Sequence, residues 1–234
     1  MNTLSNDTQQ SINILAFDTS GDEASLALWA MGQMHKLSIP FGTGSHSQAA
    51  CLIPMMQEIL KENNISFQDL NVIATPTGPG SFTGIRLGLA TAQGLLLSTR
   101  AQSFSPTTFQ ISVFEAWKIR KGSYLVTLST KRDSFYTQAF DETLSPLFPG
   151  KIQTEKEVQD FLKHNPEMRR IDGPHNLGAE NLILFYLHAL STNQDLYLKS
   201  LKGSLSELKD KSLDTFSPYY LHDPVFVKQK SWSL

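Results

Sequence analysis

One order of elements, repeated along the chain, constrains the fold more than any other feature. The apolar pattern predicts strands, a helix, a strand, a glycine-rich turn and a second helix, and then the same order again. The first copy comprises predicted strands at Ile12 to Phe17, Ala24 to Trp29 and Met34 to Ile39, a helix at Gln48 to Glu62, a strand at residues 71 to 75 and a helix at Thr83 to Ser98. A further helix is predicted at Thr107 to Trp117, and the second copy comprises strands at Tyr124 to Leu128 and Phe135 to Phe140, a helix at Glu155 to His164, the strand "RRID" and a helix at Ala179 to Leu190. This order predicts an α/β fold of two stacked lobes, each with a mixed sheet, and a cleft between them.

The composition bounds the organisation and the class of protein. With 234 residues, 40% of them hydrophobic, the chain is long enough to bury a substantial core. The predicted organisation is a flexible tail at 1–11, an N-terminal lobe at 12–118, a C-terminal lobe at 119–227 and a second tail at 228–234. The net charge of −2 does not indicate a basic surface that could bind nucleic acid without help, so contact with RNA is expected only through a partner.

Cysteine content and hydropathy predict a location. The single cysteine, Cys51, excludes an internal disulfide, and the polar start of the sequence does not resemble a secretion signal. No stretch approaches the roughly 20 apolar residues of a membrane span. We therefore expect a cytoplasmic protein that makes no membrane contact.

The run "TGPGSFTGIRLGLATAQG" at residues 77–94 poses the main functional question. Gly78 and Gly80 follow a predicted strand and precede a helix, so their backbone amides could face an anion. The known phosphate-binding patterns do not fit, because a dinucleotide fingerprint needs glycine at Thr83 and a P-loop needs lysine after Gly84. Phe82 stands where a serine-hydrolase elbow needs its nucleophile.

A packing interpretation of the same run explains more of its residues. Gly84, Gly88 and Ala92 are four apart and lie on one helix face, where another backbone can approach. Gly84, Gly88 and Gly94 inside the helix together cost roughly 3 kcal/mol of helix stability relative to alanine, so close packing is expected to offset this loss. The pattern allows a helix against a helix or a helix against a sheet. The helix is apolar almost all round, which is typical of burial by its own lobe or by a partner.

The helix predicted at Gln48 to Glu62 carries a second unusual feature. Pro54 removes a backbone donor and is expected to bend the helix. Met55 and Met56 lie beside it and suit either an adaptable docking surface or the filling of a core.

Few residues suggest chemistry. Asp18, Thr19 and Ser20 end the first strand, where they could meet a Mg-nucleotide between the lobes or where Asp18 could cap a turn. The six histidines have no metal-binding spacing, and His46, which precedes a helix, is predicted to be a capping or surface residue. Lys131, Arg132 and Asp133 in the turn of the second hairpin are interpreted as solvated turn charges.

Four segments together resemble the bacterial TsaB (YeaZ) family of the actin-like, glycoprotease-related ATPase superfamily. They are "ILAFDTS", "GSHSQ" leading into "LIPMMQEIL", "GPGSFTGIRLGLATAQGL" and, near the end, "SPYYL". The resemblance is strongest across residues 12–98 and implies an actin-like (ASKHA, ribonuclease H-like) fold. It also implies a noncatalytic subunit that scaffolds the catalytic paralogue TsaD, with the ATPase TsaE, in making N6-threonylcarbamoyladenosine at position 37 of tRNAs reading ANN codons.

The resemblance implies partners and site residues. It implies a homodimer when the chain is alone, contact with tRNA only through the complex, and no cofactor beyond weak binding of ATP. The helices at 48–62 and 83–98 would form the partner surface, through Leu52, Ile53, Met56, Ile59, Leu60, Gly84, Ile85, Gly88, Leu89 and Ala92. A degenerate nucleotide site would comprise Asp18, Thr19, Ser20, Gly78 and Gly80. Pro106 and Gln110 stand where the catalytic paralogue has metal-binding histidines, so no metal is expected.

The sequence departs from the family pattern at two places. The second hairpin has Ser129-Thr130-Lys131 where the family has Asp-Ala-Arg, which removes a carboxylate from any nucleotide contact in the second lobe. The closing motif ends in His222 where the family has arginine. An ATP-binding small-molecule kinase or ATPase of the same fold is the main alternative, and a metalloprotease lacks the necessary ligands.

Overall fold

The computed structural model describes residues 12–21, 23–40, 48–173, 178–192, 218, 219 and 221. Their strands are β1 (Ile14–Asp18), β2 (Glu23–Ala30), β3 (Gln33–Pro40), β4 (Val72–Ala74), β5 (Gln102–Phe104), β6 (Tyr124–Arg132), β7 (Ser134–Phe140), β8 (Lys151–Gln153) and β9 (Arg169–Asp172). Their α-helices are α1 (Gln48–Glu62), α2 (Phe82–Ser98), α3 (Thr108–Ile119), α4 (Glu155–His164) and α5 (Ala179–Ser191). A short 3-10 helix spans Phe67–Asp69.

The first sheet has five strands in the order β3-β2-β1-β4-β5. β1, β2 and β3 form antiparallel hairpins, and β4 and β5 run parallel to β1 and to each other. The β2–β3 turn has positive φ at both Met31 (50°) and Gly32 (74°), which is the turn geometry that matches the twist of a two-residue hairpin. The predicted hairpin is therefore confirmed.

The second sheet repeats this plan with four strands in the order β8-β7-β6-β9. β6 pairs antiparallel with β7 and parallel with β9, as β1 pairs with β2 and β4 in the first sheet. The ladder between β6 and β7 is interrupted between Ser129 and Arg132, at the tip of the hairpin. Two mixed sheets of related topology confirm the predicted fold class.

The helices and sheets alternate in layers. α1 and α2 cover the outer face of the first sheet, where β1 contributes Leu15 and Phe17. Ile14 and Ala16 point to the opposite face, because successive side chains of a strand alternate, and join a central core with α3, α5 and the second sheet. The outer face of the second sheet packs a smaller core around Val158 of α4.

Two helices cross between the halves of the chain. α3 follows the first sheet in sequence but packs on β6, β7 and β9, whereas α5 follows the second sheet but packs on β1 and β2. The backbone N–H of Ala179 donates to Ser25 Oγ at 2.9 Å, and Lys36 pairs with Glu180 at 3.1 Å. The two halves are therefore interlocked through one core, and these helices fill the corresponding part of the predicted cleft. The order of elements in the sequence makes α5 the counterpart of α2. In the structure α5 instead lies in the central core between the two sheets, as α3 does.

The remaining differences from the sequence prediction have local causes. β5 and β8 were not predicted, because three residues are too few to show a periodic signal. α1 continues through Pro54, which is exposed, and Met55 and Met56 are buried as core-filling side chains. The predicted tails at 1–11 and 228–234, together with His46 and His222, lie outside the described part of the chain. No helix in the described ranges combines the length and apolar character needed to cross a membrane.

Candidate functional site

The glycine face of α2 lies against the ends of β1 and β4. A methyl group on Gly84 would overlap the carbonyl oxygen of Thr19, and one on Gly88 would lie 2.9 Å from the hydroxyl oxygens of Thr19 and Thr75. The Thr19 hydroxyl donates to the carbonyl oxygen of Gly84 at 2.6 Å. The close approach is thus between a helix and its own sheet. Of the two arrangements that the sequence allowed, helix against helix is wrong at this face.

The same packing decides where the predicted partner-binding residues lie. Nine of the ten are buried in the core beneath α1 and α2: Leu52, Met56, Ile59, Leu60, Gly84, Ile85, Gly88, Leu89 and Ala92. Ile53 is the exception and is 38% exposed. A helix in an outer layer turns its apolar stripe towards its own sheet, so a regular apolar period cannot identify the residues that face a partner. The buried nine are not available for direct contact, and a partner surface on α1 and α2 stays a prediction.

The exposed side of these two helices is nevertheless rich in apolar residues. The name outer helical face is used here for seven of its residues, Ala50, Ile53 and Pro54 of α1 with Phe82, Arg86, Ala90 and Leu97 of α2; polar residues such as Gln57, Glu58 and Lys61 are also exposed on α1. Phe82 is 45% exposed and Leu97 62% exposed. The guanidinium carbon of Arg86 lies 3.7 Å from the centroid of the Phe82 ring, so even the cation covers an apolar group.

The end of β1 holds the acidic residue singled out from the sequence. Asp18 is buried, and one oxygen of its carboxylate accepts both the backbone N–H of Ser20 at 2.8 Å and the Ser20 hydroxyl at 2.6 Å. Burial raises the pKa of Asp18, and the hydrogen bonds from Ser20 oppose that rise without cancelling it. The contacts are those of a residue that caps a turn, which was the simpler of its two interpretations.

The glycine loop before α2 closes onto the same turn. The backbone N–H of Ser81 donates to the carbonyl oxygen of Ser20 at 2.9 Å, and a methyl on Gly80 would lie 3.0 Å from Ser20 Cβ. Gly78 has φ +105°, and its carbonyl accepts the backbone N–H of Thr108 at 2.8 Å. The structure therefore brings together the two segments of the predicted nucleotide site, the end of β1 and the glycine loop. Ser20 itself packs against the loop.

Pro106 and Gln110, at the positions of the paralogue's metal ligands, have structural contacts. The carbonyl oxygen of Pro106 accepts the backbone N–H of Thr77 at 3.0 Å. Gln110 forms a capping box with Thr107 at the start of α3, in which Gln110 Oε1 accepts the Thr107 N–H at 2.7 Å. Within the described residues, no three metal-ligating side chains converge.

The second hairpin contributes no acidic group to the central core. Thr130 donates its hydroxyl to the carbonyl oxygen of Ser134 at 2.9 Å, across the interruption in the ladder. Arg132 and Asp133 are exposed at the tip, as expected for solvated turn charges. The side chain of Lys131 lies outside the described part of the chain.

Sequence reasoning missed the role of Tyr219. Its backbone N–H donates to the carbonyl oxygen of Thr77 at 2.9 Å, and its hydroxyl accepts the N–H of Gly150 at 3.1 Å. Its ring lies edge-on to Phe109. Tyr219 thus joins the glycine loop to α3 and to the segment before β8. The only sequence signal was its place in the "SPYYL" segment.

Comparisons with known proteins agree with this architecture. Residues 43–159 match the family model described as TsaD: tRNA N6-adenosine threonylcarbamoyltransferase. A "tRNA threonylcarbamoyladenosine biosynthesis protein TsaB" from Buchnera aphidicola subsp. Schizaphis graminum is 35% identical, over 74% of this chain and 84% of the relative. A protein of the same name from Buchnera aphidicola subsp. Baizongia pistaciae is 26% identical, over 90% of this chain and 98% of the relative. The solved structure of YeaZ from Pseudomonas aeruginosa superposes with a TM-score of 0.62 at 18% identity, over 78% of this chain and 94% of that chain.

The interlocked layers and paired mixed sheets define the class. The fold is that of the actin-like proteins (ASKHA, ribonuclease H-like), with the YeaZ structure as a neighbour. The chain belongs to the TsaB (YeaZ) family, as its identity to the Schizaphis graminum relative over most of both chains shows.

Proposed function

We propose that this chain is a noncatalytic scaffold and activator subunit in the synthesis of tRNA threonylcarbamoyladenosine. In this proposal it binds a TsaD-type transferase, with TsaE, for N6-threonylcarbamoylation of adenosine 37 in tRNAs reading ANN codons. Family membership supports a role in this process, because the relatives are named for tRNA threonylcarbamoyladenosine biosynthesis. The match to the transferase family model supports a common ancestry of this chain and the transferase that it would assist.

The outer helical face is the observation that carries the proposal. Six large hydrophobic side chains are exposed in the described part of the chain, and three of them, Ile53, Phe82 and Leu97, lie on α1 and α2. Met31, Ile119 and Leu147 are scattered over a turn, a helix end and a loop. Apolar side chains concentrated on one side of a protein mark interaction surfaces, whereas single ones need no explanation.

The glycines of α2 support docking indirectly. Gly84 and Gly88 let the helix lie directly on the ends of β1 and β4, where any larger side chain would lift it. A helix held this closely presents Phe82 and Leu97 in fixed positions. A preorganised surface loses less entropy when a partner binds, so the glycine face strengthens docking without being touched by the partner.

The contacts at the end of β1 favour a noncatalytic role. A magnesium-nucleotide site needs an ionised carboxylate with free oxygens, but burial raises the pKa of Asp18 and Ser20 occupies one of its oxygens. An ATPase or kinase of the same fold would have to bind its metal through the other oxygen of the Asp18 carboxylate. We therefore include only weak binding of ATP in the proposal, with no catalytic cofactor.

The remaining parts of the proposal concern assembly. The free chain would pair with a second copy through the outer helical face, which is then exchanged for the transferase. tRNA would be reached only within the complex, in agreement with the net charge of −2. The site of action would be the cytoplasm, where tRNAs reading ANN codons are used.

Matched leucine variants test the docking surface. Leu97→Glu places a charge on the outer helical face, and Leu147→Glu makes the same change at a leucine that is 54% exposed elsewhere. Calorimetric titration with the cognate transferase subunit should show micromolar or tighter binding for the unaltered chain. We expect Leu97→Glu to raise Kd at least about tenfold, because a charge is buried without a partner, and Leu147→Glu to leave it unchanged. Equal affinities for both variants, or no complex with the unaltered chain, would refute the proposal.

A further inference from the structure

A cluster of basic side chains lies away from the site described above. Lys118, Arg120 and Lys121 stand at the end of α3 and in the connection to β6, and Arg169 begins β9. These four residues are here called the basic turn. Lys118, Arg120 and Lys121 are exposed, and Arg169 is partly exposed.

Specific contacts hold the cations of the basic turn together. Arg169 Nη1 donates to the carbonyl oxygen of Lys121 at 3.2 Å and to the hydroxyl of Tyr124 at 3.4 Å. The Tyr124 hydroxyl donates in turn to the carbonyl oxygen of Arg120 at 2.6 Å. Gly122 leaves room for this arrangement, since a methyl there would lie 2.9 Å from Arg169 Nη1. The fold thus brings a cation from a distant strand against the turn.

Three of the four charges of the basic turn have no carboxylate partner within the described residues. Lys118 interacts with the carboxylate of Glu115, one turn earlier on α3, and donates to Asn181 Oδ1 at 3.1 Å. The salt bridges of the described residues join Lys36 to Glu180, and Arg170 to Glu155 and Asp172, and none includes Arg120, Lys121 or Arg169. The negative end of the α3 dipole favours cations in its last turn, which explains Lys118 and Arg120. It does not explain Arg169. A concentration of positive charge on a chain of net charge −2 is a local feature that suits a polyanion.

The basic turn is well separated from the other functional surfaces. α3 begins beside Gly78, whose carbonyl accepts the Thr108 N–H, and ends at Ile119. At about 1.5 Å per residue, the length of α3 places the turn roughly 16–18 Å from the glycine loop. The outer helical face lies on the far side of the first sheet. A ligand at the basic turn therefore leaves the outer helical face free for a protein partner.

We propose that the basic turn binds the sugar–phosphate backbone of the RNA substrate while the outer helical face holds the transferase subunit. This inference rests on the proposed function. Guanidinium and ammonium groups match phosphate oxygens in charge and hydrogen bonding. Trp117, in the last turn of α3, has Lys121 over its ring and packs against Phe114 and His188. Its faces are covered, so the contact is to phosphates and does not depend on base sequence.

A charge-matched pair of double variants tests the inference in the assembled complex. Arg120→Ala with Lys121→Ala removes two exposed cations from the basic turn, and Lys156→Ala with Lys163→Ala removes two exposed cations from α4. The Kd for unmodified tRNA is measured by filter binding at several salt concentrations. We expect the basic-turn variant to raise Kd about three- to tenfold near 0.1 M salt and to lower the slope of log Kd against log salt by about 1 to 2, with no change in the α4 variant. Arg120→Ala alone, which leaves Lys121 over Trp117, should give about half of that change in slope.

Other results would overturn either the inference alone or the proposed function as well. A basic-turn variant that binds tRNA like the α4 variant overturns the inference and leaves the proposed function intact. A basic-turn variant that no longer binds the transferase would assign the turn to an acidic protein surface and also overturns the inference. If the unaltered chain forms no complex with the transferase, the proposed function fails and the inference fails with it. Melting temperatures of all variants confirm that the fold is retained.

Discussion

The two outer layers of the molecule meet solvent in different ways. On the first sheet, α1 and α2 expose apolar groups such as Ile53, Phe82 and Leu97. On the second sheet, α4 exposes charged and amide groups, with a capping box between Thr154 and Glu157 and an ion pair between Glu155 and Arg170. Sheets built to the same plan thus carry opposite surfaces. The difference supports the proposal that the first half of the chain supplies the interaction surface, whereas the second half exposes a polar surface to solvent.

The different positions of α2 and α5 explain why the outer surfaces of the two sheets differ. Both helices follow a strand that runs parallel to the first strand of their sheet, and in the sequence both follow a segment that contains glycine. α2 lies on the outside because Gly84 and Gly88 fit against the end of β1. α5 carries bulky aromatic residues, Phe185 and Tyr186, and packs in the central core against Phe104. The second sheet is left with one outer helix and no apolar surface of comparable extent among the described residues.

The largest expected effect on stability comes from Gly84. Gly84→Ala should cost about 3 kcal/mol or more of the free energy of unfolding, because the methyl group would overlap the carbonyl oxygen of Thr19, which is fixed backbone. Gly94→Ala is the matched control on the same helix, since nothing lies within 4 Å of a methyl there. It should stabilise by up to about 1 kcal/mol through helix propensity. Urea unfolding measures both, and similar values for the two variants would contradict the helix-on-sheet packing.

A smaller effect is expected where the two halves are joined by Tyr219. Tyr219→Phe leaves the backbone N–H of Gly150 without its acceptor and should cost about 1–2 kcal/mol. A methyl on Gly150 would lie 2.8 Å from the same hydroxyl, so Gly150→Ala should also destabilise the fold. Because the two residues are in contact, their effects should not add. Additive losses in chemical denaturation would show that Tyr219 does not join the halves through this bond.

The smallest expected effect concerns the pH dependence at Asp18. Burial raises the pKa of the folded carboxyl above its unfolded value, so the stability that this group contributes is full below the unfolded pKa and is lost as pH rises through the folded pKa. Asp18→Asn keeps an acceptor for Ser20 and cannot ionise. Its melting temperature relative to the unaltered chain should therefore be higher at about pH 7 than at about pH 4, by a few degrees. A relative melting temperature that is the same at both pH values would show that the raised pKa is absent.

Much of the fold could be predicted from sequence because its elements have strong local signals. The bounds of α1 and α4 agree with their apolar periods, and the hairpin at Met31 and Gly32 follows from its turn. The approach of the glycine loop to the end of β1 agrees with the family resemblance, which implied a site made of both segments. A period, however, identifies a buried face without saying what buries it. The inward direction of the Gly84 face and the place of α5 depend on contacts between distant parts of the chain, which no local pattern records.

Cysteine protection by the transferase tests the contrast between the two outer layers most directly. In a Cys51→Ala background, Ala90→Cys places a thiol on the outer helical face and Asp160→Cys places one on α4, both at exposed positions. Maleimide labelling rates are compared with and without the cognate transferase subunit. The proposed arrangement predicts that the transferase slows labelling at position 90 at least about tenfold and leaves position 160 unaffected, since only the first thiol is covered. Protection at position 160, or equal labelling at position 90 with and without a bound transferase, would contradict it.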